Sequence, residues 1–251
     1  MHYFAMVLVA FVTAGTPAVA DVDPTVMAML REWSLASPNP SSVVICHGFG
    51  CAFRTEIALT DADRAQMAAI MASGSASAQA ERAAIGRTEA WFERRIAPIT
   101  GTAQRVARAG PLIGGALHRG QFDCIDTTNN TNSLLLVLDQ LKLLQHHTIA
   151  APVSRFLITE GPHNTAVIRD RKTDELWTVD PWTHQGSEVP RISSRSQSGK
   201  RANSPAHASA GRLSPKAHFN PPDADRPSYS ASLSERVAGL EKNYHERFHR
   251  N

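Results

Sequence analysis

The stretch QFDCIDTTNNTNSLLLVL, residues 121–138, decides the fold. Its apolar centre at 134–138 has no polar face, and a helix of that kind is usually buried in the core of its domain. We therefore predict a core helix over residues 124–144. Asp123 is a favourable N-cap residue, which places Cys124 in the first turn of this helix.

This helix start predicts a reactive thiol. Free backbone N–H groups and the positive end of the helix dipole favour the thiolate form of Cys124 over the thiol. The same N–H groups can form half of an oxyanion hole. A buried structural cysteine is the alternative. The polar residues 126–130 (DTTNN) argue against it, because they indicate that the helix begins at a surface or a cleft.

A β-hairpin is predicted further along the chain. Residues 163–169 (HNTAVIR) and 176–180 (LWTVD) are rich in β-branched and aromatic side chains, and they flank the polar turn 170–175 (DRKTDE). If the turn centres on residues 171 and 172, His163 and Asp180 lie directly opposite each other, with Cβ atoms about 5 Å apart. A register shifted by one residue would place the two side chains on opposite faces.

Cys124, His163 and Asp180 match the pattern of a nucleophile, a general base and an acid that orients the base. The carboxylate can accept the imidazole N–H, select the tautomer and stabilise the imidazolium ion. This pattern predicts attack by the thiolate on an amide or ester carbonyl, followed by resolution of the thioester by water or an amine.

These segments also resemble a known family. A Cys on a helix, then HxTAV and WxVDxW, is similar to the transglutaminase-like branch of the papain-like cysteine enzymes, and most of all to exported bacterial transglutaminase-like cysteine proteinases. The resemblance covers residues 40–190 approximately and rests on Cys124 with Asp126, His163 with Thr165 and Ala166, and Trp177, Asp180 and Trp182.

The resemblance implies an α+β fold with a papain-like core, in which the Cys-bearing helix packs on a small antiparallel sheet. It implies that Cys124 is the nucleophile, His163 the base and Asp180 the orienting carboxylate, with Gln121, Asp126 and Trp182 as substrate-cleft candidates. The Gly-x-Cys-Trp core of true transglutaminases is absent, which favours hydrolysis of amide or peptide bonds over protein cross-linking. A protein, a peptide or a cell-wall peptide is the expected substrate.

A second motif, CHGFGC, spans residues 46–51 between two predicted strands, 42–45 and 53–59. Cys46 and Cys51 can form a disulfide across the hairpin tip. The alternatives are reduced thiols, or a metal site that combines both cysteines and His47 with His146 or His147 as the fourth ligand. The rival function is accordingly a non-catalytic exported domain that binds partners or handles metal.

The N-terminus predicts export. The apolar run 3–12 is too short to cross a bilayer and precedes Ala18-Val19-Ala20, a pattern that a signal peptidase cleaves. We assign residues 1–20 to a signal peptide, with a buried strand as the alternative, and predict a periplasmic or extracellular protein. An exported chain can oxidise Cys46 and Cys51, which leaves Cys124 as the unpaired thiol.

The remaining composition defines the domain and its tail. Residues 21–190 form the predicted hydrolase domain, which is large enough for one core. From residue 191 onward the chain carries 11 Lys and Arg against 5 Asp and Glu and few large apolar side chains, so we predict a basic disordered tail with a short helix over 231–248. The whole-chain charge of +3 does not indicate a nucleic-acid partner. The sequence contains no phosphate-binding glycine loop, His-Glu-x-x-His motif or zinc-ribbon spacing, and no segment after the N-terminal apolar run is long enough to span a membrane, so we expect no cofactor.

Overall fold

The computed structural model describes residues 22–110, 118–157, 161–186 and 188–195. The predicted signal peptide, residues 1–20, lies outside these residues, as does the predicted tail beyond residue 195 with its terminal helix. Within the described part of the chain, no helix is long and apolar enough to cross a membrane.

The described residues form an α+β fold with four α-helices and two antiparallel sheets. The helices are α1 (Pro24–Glu32), α2 (Asp61–Ala72), α3 (Ala78–Thr100) and α4 (Cys124–Gln140). The two-stranded sheet consists of β1 (Ser42–His47) and β2 (Phe53–Ala58). The four-stranded sheet contains, in this order, β3 (His147–Leu157), β4 (Gly161–Asp170), β5 (Leu176–Val179) and β6 (Ser193–Ser194).

Helix α4 is the central element of the fold. It packs against β1 of the smaller sheet and against β3 and β4 of the larger one. The side chains of Leu134, Leu135, Leu136, Val137 and Leu138 are all buried, as the apolar stretch predicts. The helix begins at Cys124, and Asp123 is its N-cap.

The polar half of α4 is buried as well, which corrects the prediction that residues 126–130 lie at a surface or a cleft. Burial is tolerated because these side chains bond to backbone groups. Thr127 and Thr128 donate to carbonyl groups at the start of the helix, and Asn129 donates to Ile125 O. Asn130 accepts from Cys46 N–H at 2.8 Å and donates to Cys46 O at 2.9 Å, so it joins α4 to β1.

The hairpin of β4 and β5 is present, but its register differs from the prediction by two residues. Ala166 pairs with Val179 and Arg169 with Leu176. The turn centres on residues 172 and 173, because the Asp170 carboxylate accepts from the N–H groups of both residues. A shift of two residues, unlike a shift of one, keeps each side chain on its face of the sheet.

Two strands extend the sheet beyond the predicted hairpin. β3 pairs with β4 along its length, with a β-bulge between Ala150 and Val153. β6 pairs with β5 through Trp177 and Thr178, and Ser194 is buried. The folded part of the chain therefore continues past residue 190, so the start of the predicted disordered tail at residue 191 is a few residues too early.

Replacement of Asn130 should test how strongly the buried polar face stabilises α4. We expect Asn130→Ala to lower the free energy of unfolding by about 2–4 kcal/mol, because it leaves Cys46 N–H and O buried without partners. Ser133→Ala is the matched control. The Ser133 hydroxyl is buried and has no partner among the described residues, so its removal should change stability by less than about 0.5 kcal/mol. Urea unfolding of both variants measures the difference in the free energy of unfolding. Equal losses in the two variants would contradict the stabilising role assigned to Asn130.

Glu89 on α3 should make stability depend on pH. Burial, reinforced by the neighbouring Glu93 carboxylate, raises the pKa of Glu89 to about 8, although Thr131 donates to one of its oxygens at 2.6 Å. The folded chain thus binds this proton more tightly than the unfolded chain does, and the free energy of unfolding falls as pH rises from about 5 to 8.

Glu89→Gln should remove that pH dependence. We expect the variant to resemble the parent protein near pH 5 and to exceed it by roughly 3–5 kcal/mol near pH 9 in urea unfolding. Glu56→Gln, at an exposed position of β2, is the control and should leave the pH dependence unchanged. Parallel stability curves for the Glu89 variant and the parent would show that Glu89 ionises normally.

Candidate active site

Two carboxyl groups organise the start of α4. Asp123 Oδ1 accepts from the N–H groups of Ile125 and Asp126, at 3.0 and 2.8 Å. Asp126 Oδ2 accepts from Asp123 N–H, at 3.2 Å, which completes a capping box. This arrangement gives the chain a sharply defined helix start and fixes the backbone of Cys124.

The same carboxyl groups hold the loop between β1 and β2. Phe49 and Cys51 donate their backbone N–H groups to the Asp126 carboxylate at 2.9 and 2.7 Å, and Gly50 donates to Asp123 Oδ2 at 2.7 Å. These three residues have positive φ, so successive N–H groups converge on the carboxylates and form an anion-binding nest.

Burial raises the pKa of Asp123 and raises that of Asp126 well above its ordinary value, and the Asp123 charge adds to the rise at Asp126. Backbone N–H donors oppose the rise at both residues. Because like charges this close disfavour double ionisation, the pair retains a proton at a pH where an isolated aspartic acid has lost it. The resemblance implied that Asp126 lines the substrate cleft. Asp126 is instead fully buried, and its contacts are structural.

Cys124 is partly exposed at the start of α4 and lies against strand β4. Its Sγ is 3.8 Å from Pro162 O, and the Asn164 N–H donates to the same sulfur. Pro162 and Asn164 flank His163 in the sequence. The thiol is therefore held at the segment of β4 that carries the proposed base.

The environment of Cys124 does not favour a thiolate, which corrects the prediction from the helix start. Burial raises the pKa of the Cys124 thiol to about 12, and the charges of Asp123, Asp180 and Asp126 add to the rise, while the Asn164 N–H opposes it. The Asp123 carboxylate also accepts the N–H groups of Ile125 and Asp126, so its negative charge offsets the positive end of the helix dipole. These surroundings favour the neutral thiol form of Cys124.

His163 and Asp180 are in direct contact. His163 Nε2 is 2.8 Å from Asp180 Oδ2, and both side chains are buried. The contact forms although the two residues are not directly opposed, because the two-residue shift makes them diagonal neighbours on the same face. Since a carboxylate only accepts hydrogen bonds, Nε2 carries the proton and Nδ1 of the neutral ring keeps a lone pair.

The Nδ1 atom of His163 is buried and has no hydrogen-bond partner among the described residues. Trp182, in the 3₁₀ turn Pro181–Thr183, stacks on the imidazole with ring centroids 4.5 Å apart. The Trp182 indole N–H donates to Ala109 O at 2.8 Å, which fixes the ring. Trp182 therefore covers the imidazole of His163 and restricts its rotation. This contact is more specific than the position in a substrate cleft that the resemblance implied.

The described residues offer one first-turn donor for an oxyanion. The N–H groups of Ile125 and Asp126 are capped by Asp123, which leaves the Cys124 N–H as the first-turn donor that this carboxylate does not engage. Gln121 does not supply a second donor in this arrangement. Its side chain accepts from Val106 N–H at 2.9 Å and contacts Gln104 O at 3.3 Å, so it holds the segment 104–106.

Cys46 and Cys51 form a disulfide, as one of the sequence hypotheses states. The proposed metal ligands are engaged elsewhere. His47 contacts Arg119 O at 2.7 Å and Thr55 Oγ1 at 2.8 Å through its two ring nitrogens. His147 contacts Glu81 at 2.9 Å in the interior.

His146 contacts Ser75 O at 2.9 Å. Within the described ranges, the Cys, His and acidic side chains close enough to share a metal ion are Cys46, Cys51 and Asp126, and two of them are joined by the disulfide. These engaged donors weaken the case for a metal-handling domain.

Sequence reasoning did not identify Arg155 on β3. Its guanidinium NH2 group is 3.3 Å from Asp180 Oδ2, and Arg155 pairs with His163 across the sheet. Prediction of β3 would have been needed to find this residue, because the contact depends on strand pairing and not on spacing along the chain.

No protein-family model matches the chain, and no curated protein or solved structure is detectably similar to it.

Alkylation of Cys124 should distinguish the neutral thiol from a resting thiolate. With a pKa of about 12, the labelling rate with iodoacetamide should rise about tenfold per pH unit from pH 7 to 10 without a plateau. Peptide mass spectrometry under non-reducing conditions measures the rate, and the urea-unfolded chain, whose thiol titrates near its ordinary pKa, is the control. A plateau below pH 8 in the folded protein would demonstrate a stabilised thiolate instead.

Proposed function

We propose that the protein is an exported thiol hydrolase or acyltransferase that acts on amide bonds through Cys124, His163 and Asp180. The observation that carries the proposal is the buried His163–Asp180 pair, whose remaining ring nitrogen has no partner among the described residues, on the segment of β4 whose neighbouring residues Pro162 and Asn164 contact the Cys124 thiol. The order of a Cys on a helix, a His on a strand and an Asp at the end of the next strand agrees with the transglutaminase-like resemblance, and the fold class is compatible with it.

The first half-reaction begins from the neutral thiol. His163 Nδ1 removes the Cys124 proton as the sulfur attacks the substrate carbonyl carbon, and the carbonyl electrons move to oxygen. In this proposal the Cys124 N–H donates to that oxygen. Collapse of the tetrahedral intermediate breaks the C–N bond, and His163 returns the proton to the leaving amine. The products are an amine and a thioester on Cys124.

The second half-reaction regenerates the enzyme. His163 accepts a proton from water, or from an acceptor amine, as its oxygen or nitrogen attacks the thioester carbonyl. The C–S bond breaks, and the proton returns to the sulfur, giving a carboxylic acid or a new amide. Asp180 stabilises the imidazolium ion in both steps and keeps its ring oriented.

The disulfide supports the exported location, since such bonds persist in oxidising compartments. A protein, a peptide or a cell-wall peptide remains the proposed substrate class. The partly exposed thiol and the buried base are consistent with a substrate that reaches Cys124 from outside while His163 stays shielded by Trp182.

p-Nitrophenyl acetate provides a test that needs no knowledge of the natural substrate. We expect the protein to gain one acetyl group on Cys124 and to release p-nitrophenol in a burst. Cys124→Ala should abolish both, and His163→Ala should slow acetylation by about 100-fold or more, because general-base catalysis contributes at least that much. Intact-mass and peptide mass spectrometry identify the modified residue.

His146→Ala is the matched control, because this histidine bonds to Ser75 O and lies outside the proposed triad. Cys124 of this variant should be acetylated at the parental rate. Acetylation of other residues, or an unchanged rate on Cys124 in His163→Ala, would refute the proposed mechanism. Circular dichroism spectra matching the parent would show that the variants remain folded.

A further inference from the structure

Arg155 lies beside the proposed catalytic pair and contacts the carboxylate of Asp180. His163 Nε2 and the Arg155 guanidinium approach the same oxygen, Asp180 Oδ2, at 2.8 and 3.3 Å. Arg155 and His163 are directly paired residues of β3 and β4. We propose that Arg155 is a positioning residue, which keeps the Asp180 carboxylate charged and directed at His163; this inference rests on the proposed function.

The position of Asp180 explains why a cation is needed. Asp180 precedes the 3₁₀ turn, but its side chain makes no capping hydrogen bond to that turn. It is also nearly buried, and a buried carboxylate is stable only when charged or hydrogen-bonded partners compensate for lost water. The neutral imidazole supplies one donor, whereas Arg155 supplies a full positive charge.

The other charged groups around the pair do not replace this contact. From α4, the acidic groups whose charges reach the Cys124 thiol are Asp123 and Asp126, and Asp180 acts on the same thiol. From the segment before α4, the Arg108 guanidinium lies 6.0 Å from the ring centroid of Trp182, the ring that stacks on His163. Among the described residues, the basic side chains within 4 Å of the Asp180 carboxylate are Arg155 and His163. Arg155 carries the permanent positive charge of the two.

The guanidinium of Arg155 donates to Asp180 through its NH2 group but leaves a second donor without an acceptor. Its Nε–H is buried without an acceptor among the described residues, a costly arrangement for a residue that served only packing. The side chain is about one quarter exposed, and its NH2 group is directed at the Asp180 carboxylate. Its contact with the oxygen that orients the base accounts for the arrangement.

The test compares Arg155→Met and Arg155→Lys, with Arg169→Met as the matched control. Arg169 pairs with the exposed Asp174 at the hairpin turn, away from the proposed triad. Removal of the positive charge lets the His163–Asp180 pair take up a proton more readily. For acetylation by p-nitrophenyl acetate, the acid limb of the pH–rate profile should move upward by about one pH unit in Arg155→Met.

The same variant should lose about tenfold in kcat with little change in KM, because Arg155 acts through Asp180 and does not contact the substrate. Arg155→Lys should restore the parental acid limb, and Arg169→Met should retain both parameters. A parental acid limb in Arg155→Met, or equal displacement in the Met and Lys variants, would overturn the inference.

A second measurement separates this inference from the proposed function. In ¹⁵N-histidine-labelled protein, NMR titration reports proton uptake by His163 directly, whether or not the protein forms an acetyl thioester. Absence of acetylation in the parent would overturn the proposed function alone. The titration midpoint of His163 should still move upward in Arg155→Met and return in Arg155→Lys, and an unchanged midpoint would overturn the role of Arg155.

Discussion

The buried carboxyl pair of Asp123 and Asp126 is the constraint on which the rest of the structure depends. It receives N–H groups from two directions, from the first turn of α4 and from the loop that follows β1. A single pair of acids thus caps the central helix and attaches the smaller sheet to it. Loss of either carboxyl group would leave several buried backbone donors without acceptors at once, so the helix start and the loop are expected to unfold together.

This constraint also sets the chemistry of the thiol. Because Asp123 accepts two of the first-turn N–H groups and both acids contribute negative charge, they offset the advantage that a helix N-terminus gives to a thiolate. In the proposed function, Cys124 therefore depends on His163 for activation and not on its position at the helix start. The orientation of His163 by Asp180 is then the decisive part of that proposal, since a neutral thiol needs a base in the correct tautomer at the moment of attack.

The sequence predicted much of the fold, because α4, β1, β2 and the β4–β5 hairpin have strong local signals. It misjudged features that depend on tertiary contacts. The burial of Asn129 and Asn130 follows from bonds to their own helix and to a distant strand, whereas composition alone assigned them to a surface or a cleft. The contact of His163 with Asp180 was predicted through the wrong register, and it formed because a two-residue shift preserves the face.

The two-residue strand β6 has a consequence for self-association. Without it, β5 would be the open edge of the larger sheet, with unpaired backbone groups beside the apolar ring of Trp177. Open edges of this kind recruit strands from other molecules and begin aggregation. Ser193 and Ser194 close that edge with two small polar residues, which protects the strand that ends next to Asp180 from pairing with a second copy of the chain.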